Sequence, residues 1–182
     1  MFSEIPLINK AAEFAKKAHT GQKRKWMPDV NFIMHPIQVA QRTRKIFQDY
    51  YPWQDNTNAV CAAFLHDCVE EGKTTITILE KEFNLEISEY VSWLTNPPKV
   101  SGQSREYRKK QDCTRLSQAP RNVRIIKLID RNHNLTEAIY APTKFKLKYV
   151  KESVELSNAL NLKELSIHQE LLDNAELLLA SC

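Results

Sequence analysis

Apolar residues at Ile8, Ala11, Ala12, Ala15 and Ala18 recur at intervals of one or three positions, with Glu13, Lys16 and Lys17 set between or beside them. That is the stripe of an amphipathic helix, and the spacing predicts a first helix ending near Gly21. From Gln22 to Met34 the period lapses, interrupted by Pro28 and Asp29. This stretch reads as a loop feeding a second helix, with Pro36 at its first position, where no backbone N–H is needed. From Asn58 the run Ala59-Val60-Cys61-Ala62-Ala63-Phe64-Leu65 is apolar on almost all sides, which predicts a helix buried in the middle of the protein and reaching Gly72.

Two short helices follow by pattern, Ile76 to Phe83 and Ile87 to Leu94, before Pro97-Pro98 forces a break. Ser104 to Gln118 is charged and reads as a solvent-facing helix. After Pro120 the run Val123, Ile125, Ile126, Leu128 and Ile129 is too short and too β-branched for its period to decide between strand and helix. Its continuation through Leu135 and Ala138 assigns it as helix. Two further amphipathic helices, Thr143 to Leu160 and Leu162 to Leu179, complete an all-α expectation. Only 3 glycines occur, few for a hairpin-rich β design, and 182 residues suit one domain. The expected organisation is a single helical bundle over 1–182, with the helices of about 143–180 packing on its core.

The 42% hydrophobic and 26% charged residues are ordinary for a chain that folds in water, and exclude disorder and collagen. The net charge of +4 is too small for a nonspecific nucleic-acid binder, so no nucleic-acid partner is expected. Cys61, Cys68, Cys113 and Cys182 form no Cys-x-x-Cys pair and read as reduced thiols rather than a zinc ribbon. Glu4 and Lys10 interrupt the N-terminal apolar residues, so neither an export signal nor a membrane span is expected. The expected location is cytoplasmic. Oligomeric state stays open, a homo-oligomer included.

Candidate chemistry concentrates in Phe64-Leu65-His66-Asp67-Cys68-Val69-Glu70-Glu71, where four polar groups end a greasy helix. On a continued helix His66 and Glu70 share one face, as do Asp67 and Glu71, which makes half of a metal site. The plainer alternative is a fraying helix end with exposed acids. The second apolar run repeats the theme with Lys127-Leu128-Ile129-Asp130-Arg131-Asn132-His133-Asn134, and a buried aspartate there needs a partner. His35, just before Pro36, is a third candidate. Two imidazoles and two aspartates form a mixed nitrogen and oxygen set suited to manganese or a similar divalent ion. Elsewhere, His19 reads as a histidine bonded inside the core, His133 as packed or locally bonded, His168 as surface, and Trp26, Trp53 and Trp93 as packing residues, with Trp26 in the loop from Gln22 to Met34 the exception to watch. Lys144, Lys148 and Lys151 form one basic helical face, and Arg105, Arg108 and Lys109 another. Both are solvated faces by default, although either could attract phosphate.

Four ordered blocks carry a resemblance. They are Phe14-Ala15-x-x-Ala18-His19-x-Gly21-Gln22-x-Arg24-Lys25, Ile33-x-His35-Pro36-x-x-Val39-Ala40, Ala62-Ala63-Phe64-Leu65-His66-Asp67-x-Val69-Glu70 and Ile126-Lys127-Leu128-Ile129-Asp130-Arg131-x-His133-Asn134-Leu135. Over about the first three quarters of its length the chain resembles the HD-domain phosphohydrolases, in particular the Rel/SpoT-type alarmone hydrolases. The resemblance implies manganese-dependent hydrolysis of guanosine 3′,5′-bis(diphosphate), ppGpp, and of pppGpp at the 3′ position, releasing pyrophosphate. It implies His35, His66, Asp67 and Asp130 as metal ligands and Glu70 and Glu71 as the groups that orient and deprotonate water. Arg24 and Lys25 would meet the base and phosphates, and Asn134 the sugar. The partner is then a small phosphorylated nucleotide.

Departures from that pattern cluster around base and sugar recognition. Glu70-Glu71 replaces a Glu-Asp pair, Asp29 and Asn31-Phe32-Ile33 replace a glycine and Pro-Tyr-Ile, and Thr136 stands where arginine is common. A ppApp-type alarmone, NADPH, or a regulator that binds an alarmone without turnover are the alternatives these changes raise. With the chain ending shortly after the hydrolase region, no synthetase domain is expected.

Overall fold

The computed structural model describes residues 6–182. Glu4, part of the argument against an export signal, lies outside them. Helices account for the fold, and among the described residues the one β-type pairing is an isolated bridge between Lys23 and Asn31. The all-α expectation holds. The chain divides into two compact units, Met1–Thr95 and Asn96–Cys182.

The first unit holds α1 (Pro6–Ala18), α2 (Met34–Tyr50), α3 (Thr57–Leu65), α4 (Ile76–Glu82) and α5 (Leu85–Leu94). Helix α3 packs against α1, α2 and α5, and every residue from Ala59 to Leu65 is buried, as its uniformly apolar sequence predicts. Alanines on both sides, Ala11 and Ala15 of α1 and Ala59, Ala62 and Ala63 of α3, keep the packed surfaces low. Thr75 and Asn84 cap α4 and α5, accepting from Ile78 N at 3.3 Å and Ile87 N at 2.9 Å.

Two expectations in this unit are corrected. Helix α2 starts at Met34, so Pro36 is its third residue rather than its first. The first four N–H groups of a helix have no internal acceptor, so proline is tolerated there as well. Helix α3 stops at Leu65 instead of reaching Gly72, and residues 66–72 are turns. The His66 side chain bonds the Ala63 carbonyl at 2.8 Å, the acceptor a continued helix would offer to the Asp67 N–H. Beyond it the backbone mixes spans, with Cys68 N to Leu65 O, Glu71 N to Asp67 O and Lys73 N to Cys68 O, and Gly72 turns at φ +68°. The shared helical faces inferred for His66, Glu70, Asp67 and Glu71 therefore do not exist in that form.

The second unit holds α6 (Arg105–Ser117), α7 (Arg121–Glu137), α8 (Thr143–Leu160) and α9 (Ser166–Ala180), with a 3₁₀ turn at Ala138–Tyr140. Helix α7 packs on α8 and α9 and buries Val123, Ile125, Ile126, Leu128 and Ile129. Helix α9 begins at Ser166, not Leu162, because Asn161 ends α8 in the left-handed region at φ 50° and the chain turns before restarting. His168, expected at the surface, is buried, with Nδ1 2.8 Å from the Ser157 hydroxyl on the neighbouring α8. An imidazole bonded to a serine can take a core position that charge patterning alone would deny it. Trp53, expected to pack, is 77% exposed in the turn after α2, where no element covers it. Trp26 and Trp93 are half-buried.

Phe64 is 1% exposed on the helix that delivers His66. Phe64→Ala should lower unfolding stability by about 3–5 kcal/mol, read from urea transitions.

Candidate functional site

In the first unit the end of α3 and the start of α2 bring two imidazoles together edge to face, with their planes at 66°. His35 Nε2 and His66 Nε2 are 3.2 Å apart, on side chains almost fully buried. Asp67 Oδ2 lies 3.2 Å from His66 Nε2 and 3.6 Å from His35 Nε2. A carbonyl oxygen can only accept, so the His66 Nδ1 beside Ala63 O carries the proton, and in the neutral ring Nε2 presents its lone pair. Such a backbone bond behind a ring nitrogen is the usual way a ligating histidine is oriented. Separations of 3.2–3.6 Å between donor atoms match neighbouring ligands on one divalent ion with bonds of about 2.0–2.2 Å. The residues fit a metal, and the chain carries a candidate metal centre.

Around this trio the loop before α2 is held by a stack of rings. Phe32 lies 4.6 Å from the His19 ring, and the Arg24 guanidinium lies over its other neighbourhood at 4.9 Å. Arg24 is buried at 9% exposure, with its N–H on Val30 O, so it is part of a built loop rather than a loose basic run. Lys25 is exposed, with its ammonium 4.6 Å from the Trp26 ring. His19 is a core histidine as expected, bonded to Gln22 at 2.8 Å and 3.6 Å from the Cys68 sulfur. Glu70 and Glu71 are both exposed, and Glu71 accepts from Gln22 Nε2 at 2.8 Å. Burial, and then the charge of Asp67, push the Cys68 thiol up to about 12.

In the second unit Asp130 is buried on α7 and both its oxygens are bonded within that helix. Lys127 Nζ donates to Oδ2 at 2.9 Å and Asn134 Nδ2 to Oδ1 at 2.6 Å. The partner that a buried aspartate required is thus a lysine one turn earlier, and Asn134 commits a donor to the same carboxylate. Sequence reasoning passed over Lys127, although a lone cation inside an isoleucine-rich run, three residues before an acid, is a legible sign of an ion pair. Gln22 and Cys68 were also passed over, since the contacts Gln22–Glu71 and Cys68–His19 each join residues 49 positions apart. His133 bonds locally, 3.6 Å from Glu137.

Beside Asp130 a second set of charges fills the space between α6, α7 and α8. Arg105 donates to Glu152 through Nε at 2.6 Å and Nη2 at 2.8 Å. Burial raises the Glu152 carboxyl, but Arg105, with Lys109 and Arg131, outweighs it and holds the group below its usual range. Arg131 is buried with its guanidinium 4.7 Å from the Tyr149 ring. Burial and then Arg131 push the Lys109 ammonium down. The basic face of Arg105, Arg108 and Lys109 is therefore not a plain solvated one, whereas Lys144, Lys148 and Lys151 are exposed.

Helices alone, with a histidine-aspartate doublet closing the buried α3, define a class, and the model of the HD domain matches residues 11–160. The chain belongs to the HD-domain family. Among curated proteins it is 29% identical over 161 residues to the probable guanosine-3′,5′-bis(diphosphate) 3′-pyrophosphohydrolase of Mycoplasma pneumoniae, covering 84% of this chain and 21% of that one. It is 28% identical over 137 residues to the guanosine-3′,5′-bis(diphosphate) 3′-pyrophosphohydrolase MESH1 of Xenopus tropicalis, covering 75% of this chain and 72% of the relative. The chain thus spans about a fifth of the length of the bacterial relative. A solved structure described as a metazoan ortholog of SpoT that hydrolyzes ppGpp shares the fold, with a TM-score of 0.77 at 17% identity over 94% of this chain and 95% of that one. Among the described residues no helix is long and apolar enough to cross a membrane.

Cys61 is raised to about 12 by burial and then by Asp55, as Cys68 is by burial and Asp67. Raised values keep both as S–H at pH 8, so in the folded protein neither should react with a disulfide reagent, while exposed Cys182 should. Thiol counting before and after denaturation checks this.

Proposed function

We propose that the chain is a metal-dependent hydrolase that cleaves ppGpp and pppGpp at the 3′ position and releases pyrophosphate, with manganese as its ion. The observation that carries the reading is the pair of buried Nε2 atoms, 3.2 Å apart, with the Asp67 carboxylate beside them. The names borne by the similar Mycoplasma and Xenopus proteins support the choice of substrate. The two units would act as one HD-type domain over 1–182, in the cytoplasm.

In this reading His35, His66 and Asp67 hold the ion and Asp130 supplies a further carboxylate, oriented by Lys127 and Asn134. A bound divalent ion would polarise phosphoryl oxygens and ease the deprotonation of water. The chain's residues do the rest. Glu70 and Glu71 orient the attacking water and accept its proton as the new oxygen–phosphorus bond forms. The bond between the 3′ oxygen and phosphorus breaks, the ribose oxygen takes up a proton, and pyrophosphate departs. Arg24 offers a planar cation to the base and Lys25 an ammonium to phosphate. Asn134 would reach the sugar with whatever bonding capacity Asp130 leaves it.

One observation favours a wider substrate range. Phe32 fills its place in the nucleotide loop as a bare ring between His19 and Arg24, with no hydroxyl to read a base edge. Adenine nucleotides, ppApp or NADPH, are therefore the second reading.

Pyrophosphate and nucleotide release from ppGpp, ppApp and NADPH, with manganese and with chelator, tests the proposal. ppGpp should be cleaved only with metal, Asp67→Ala should abolish turnover, and Glu70→Gln should slow it by about 100-fold or more. Preference for ppApp or NADPH would move the base assignment, and absence of turnover on all three would contradict the enzyme.

A further inference from the structure

We propose that His19 and Gln22 are positioning residues for Glu71: the buried imidazole fixes the Gln22 amide, and the amide fixes the carboxylate in one orientation. The inference rests on the reading that Glu71 works on the attacking water.

The geometry begins with the backbone. Helix α1 ends at Ala18, Gln22 N bonds His19 O at 3.1 Å, and Gly21 sits at φ +78°, a conformation side chains rarely adopt. This turn folds the Gln22 side chain back beside the His19 ring. The ring is 2% exposed and stacked on Phe32 at 28° between planes, so it has little room to rotate.

Donor and acceptor logic then gives the whole series a direction. An ionised Glu71 can only accept, so Gln22 must present Nε2 to it, at 2.8 Å. Its Oε1 must therefore face His19 Nδ1, also at 2.8 Å, and an amide oxygen requires that nitrogen to carry the proton. His19 Nε2 is left as an acceptor, and the group 3.6 Å away is the Cys68 thiol, a weak donor. Every bond points the same way, from Cys68 through His19 and Gln22 to Glu71.

The contacts also share a register. His19 and Cys68 are 49 residues apart in sequence, and so are Gln22 and Glu71. The turn after α1 and the turn after α3 are thus joined at both ends, by a buried pair and by an exposed one. An exposed glutamate ordinarily samples several rotamers, and here a neutral amide anchored in the core selects one. Because the amide is neutral, it holds the carboxylate without quenching the charge that a general base needs.

The test combines kinetics with a measurement that needs neither metal nor substrate. In manganese-loaded protein acting on ppGpp, Gln22→Met should lower kcat by about 10- to 100-fold while KM stays near the wild-type value. His19→Ala risks unfolding a buried site, so His19→Asn, which keeps a donor near the Nδ1 position, should recover more turnover than His19→Ala at matched stability. In the metal-free protein, nitrogen-15 spectra of the histidine rings should place the His19 proton on Nδ1, and Glu71→Ala should shift the Gln22 amide protons. An Nε2-protonated His19, or a Gln22→Met variant with normal kcat where Glu71→Gln is inactive, would overturn the positioning arm. Absence of turnover in the wild type would sink the functional reading instead, and the spectra would still decide whether the arm exists.

Discussion

Two imidazole nitrogens 3.2 Å apart in a buried setting impose the constraint on which the first unit depends. With the His66 Nδ1 proton directed at Ala63, the contact is satisfied when His35 Nε2 donates to His66 Nε2 or when both nitrogens face one cation. Burying polar atoms so closely costs stability unless a donor or a cation lies between them. The surrounding helices meet that cost: α3 is apolar over its whole circumference and α2 buries Val39, Ala40, Ile46 and Phe47, so neither ring can swing out to water without opening the core. The site is supported by core elements.

The second unit solves a similar problem with opposite means. Asp130 accepts a bond on each oxygen from its own helix, and on α6, α7 and α8 the acids Glu152, Asp112 and Asp130 offset the cations Arg105, Lys109, Lys127 and Arg131. Buried charges survive only when paired in this way. Lys127 and Asn134 hold one oxygen each, so the orientation of the Asp130 carboxylate is fixed from within α7.

Most helices were legible from the pattern of apolar residues: α8 falls at Thr143–Leu160 as expected, and α3 is buried as its apolar run predicts, whereas α7 was assigned only through its continuation to Ala138. Legibility failed where a side chain competes with the backbone. His66 bonds the carbonyl of Ala63, α3 ends there, and the helical faces drawn through Glu70 and Glu71 dissolve into turns. It failed again where polarity is satisfied across helices, as for His168, whose serine partner lies on another helix. The ligand types stood out because histidine and aspartate at the end of a greasy helix need a reason to be there. Gln22 gave no such sign, since only the fold reveals that it reaches Glu71.

In the proposed function the histidine pair and the two aspartates would bind one divalent ion. Calorimetric titration of manganese into the metal-free protein addresses it directly, beside His35→Ala and Asp130→Ala variants whose folding is verified. The account predicts one ion per chain and affinity weakened at least about 10-fold in each variant. Binding by Asp130→Ala that matches the wild type, or a wild-type chain that takes up no stoichiometric ion, would contradict it.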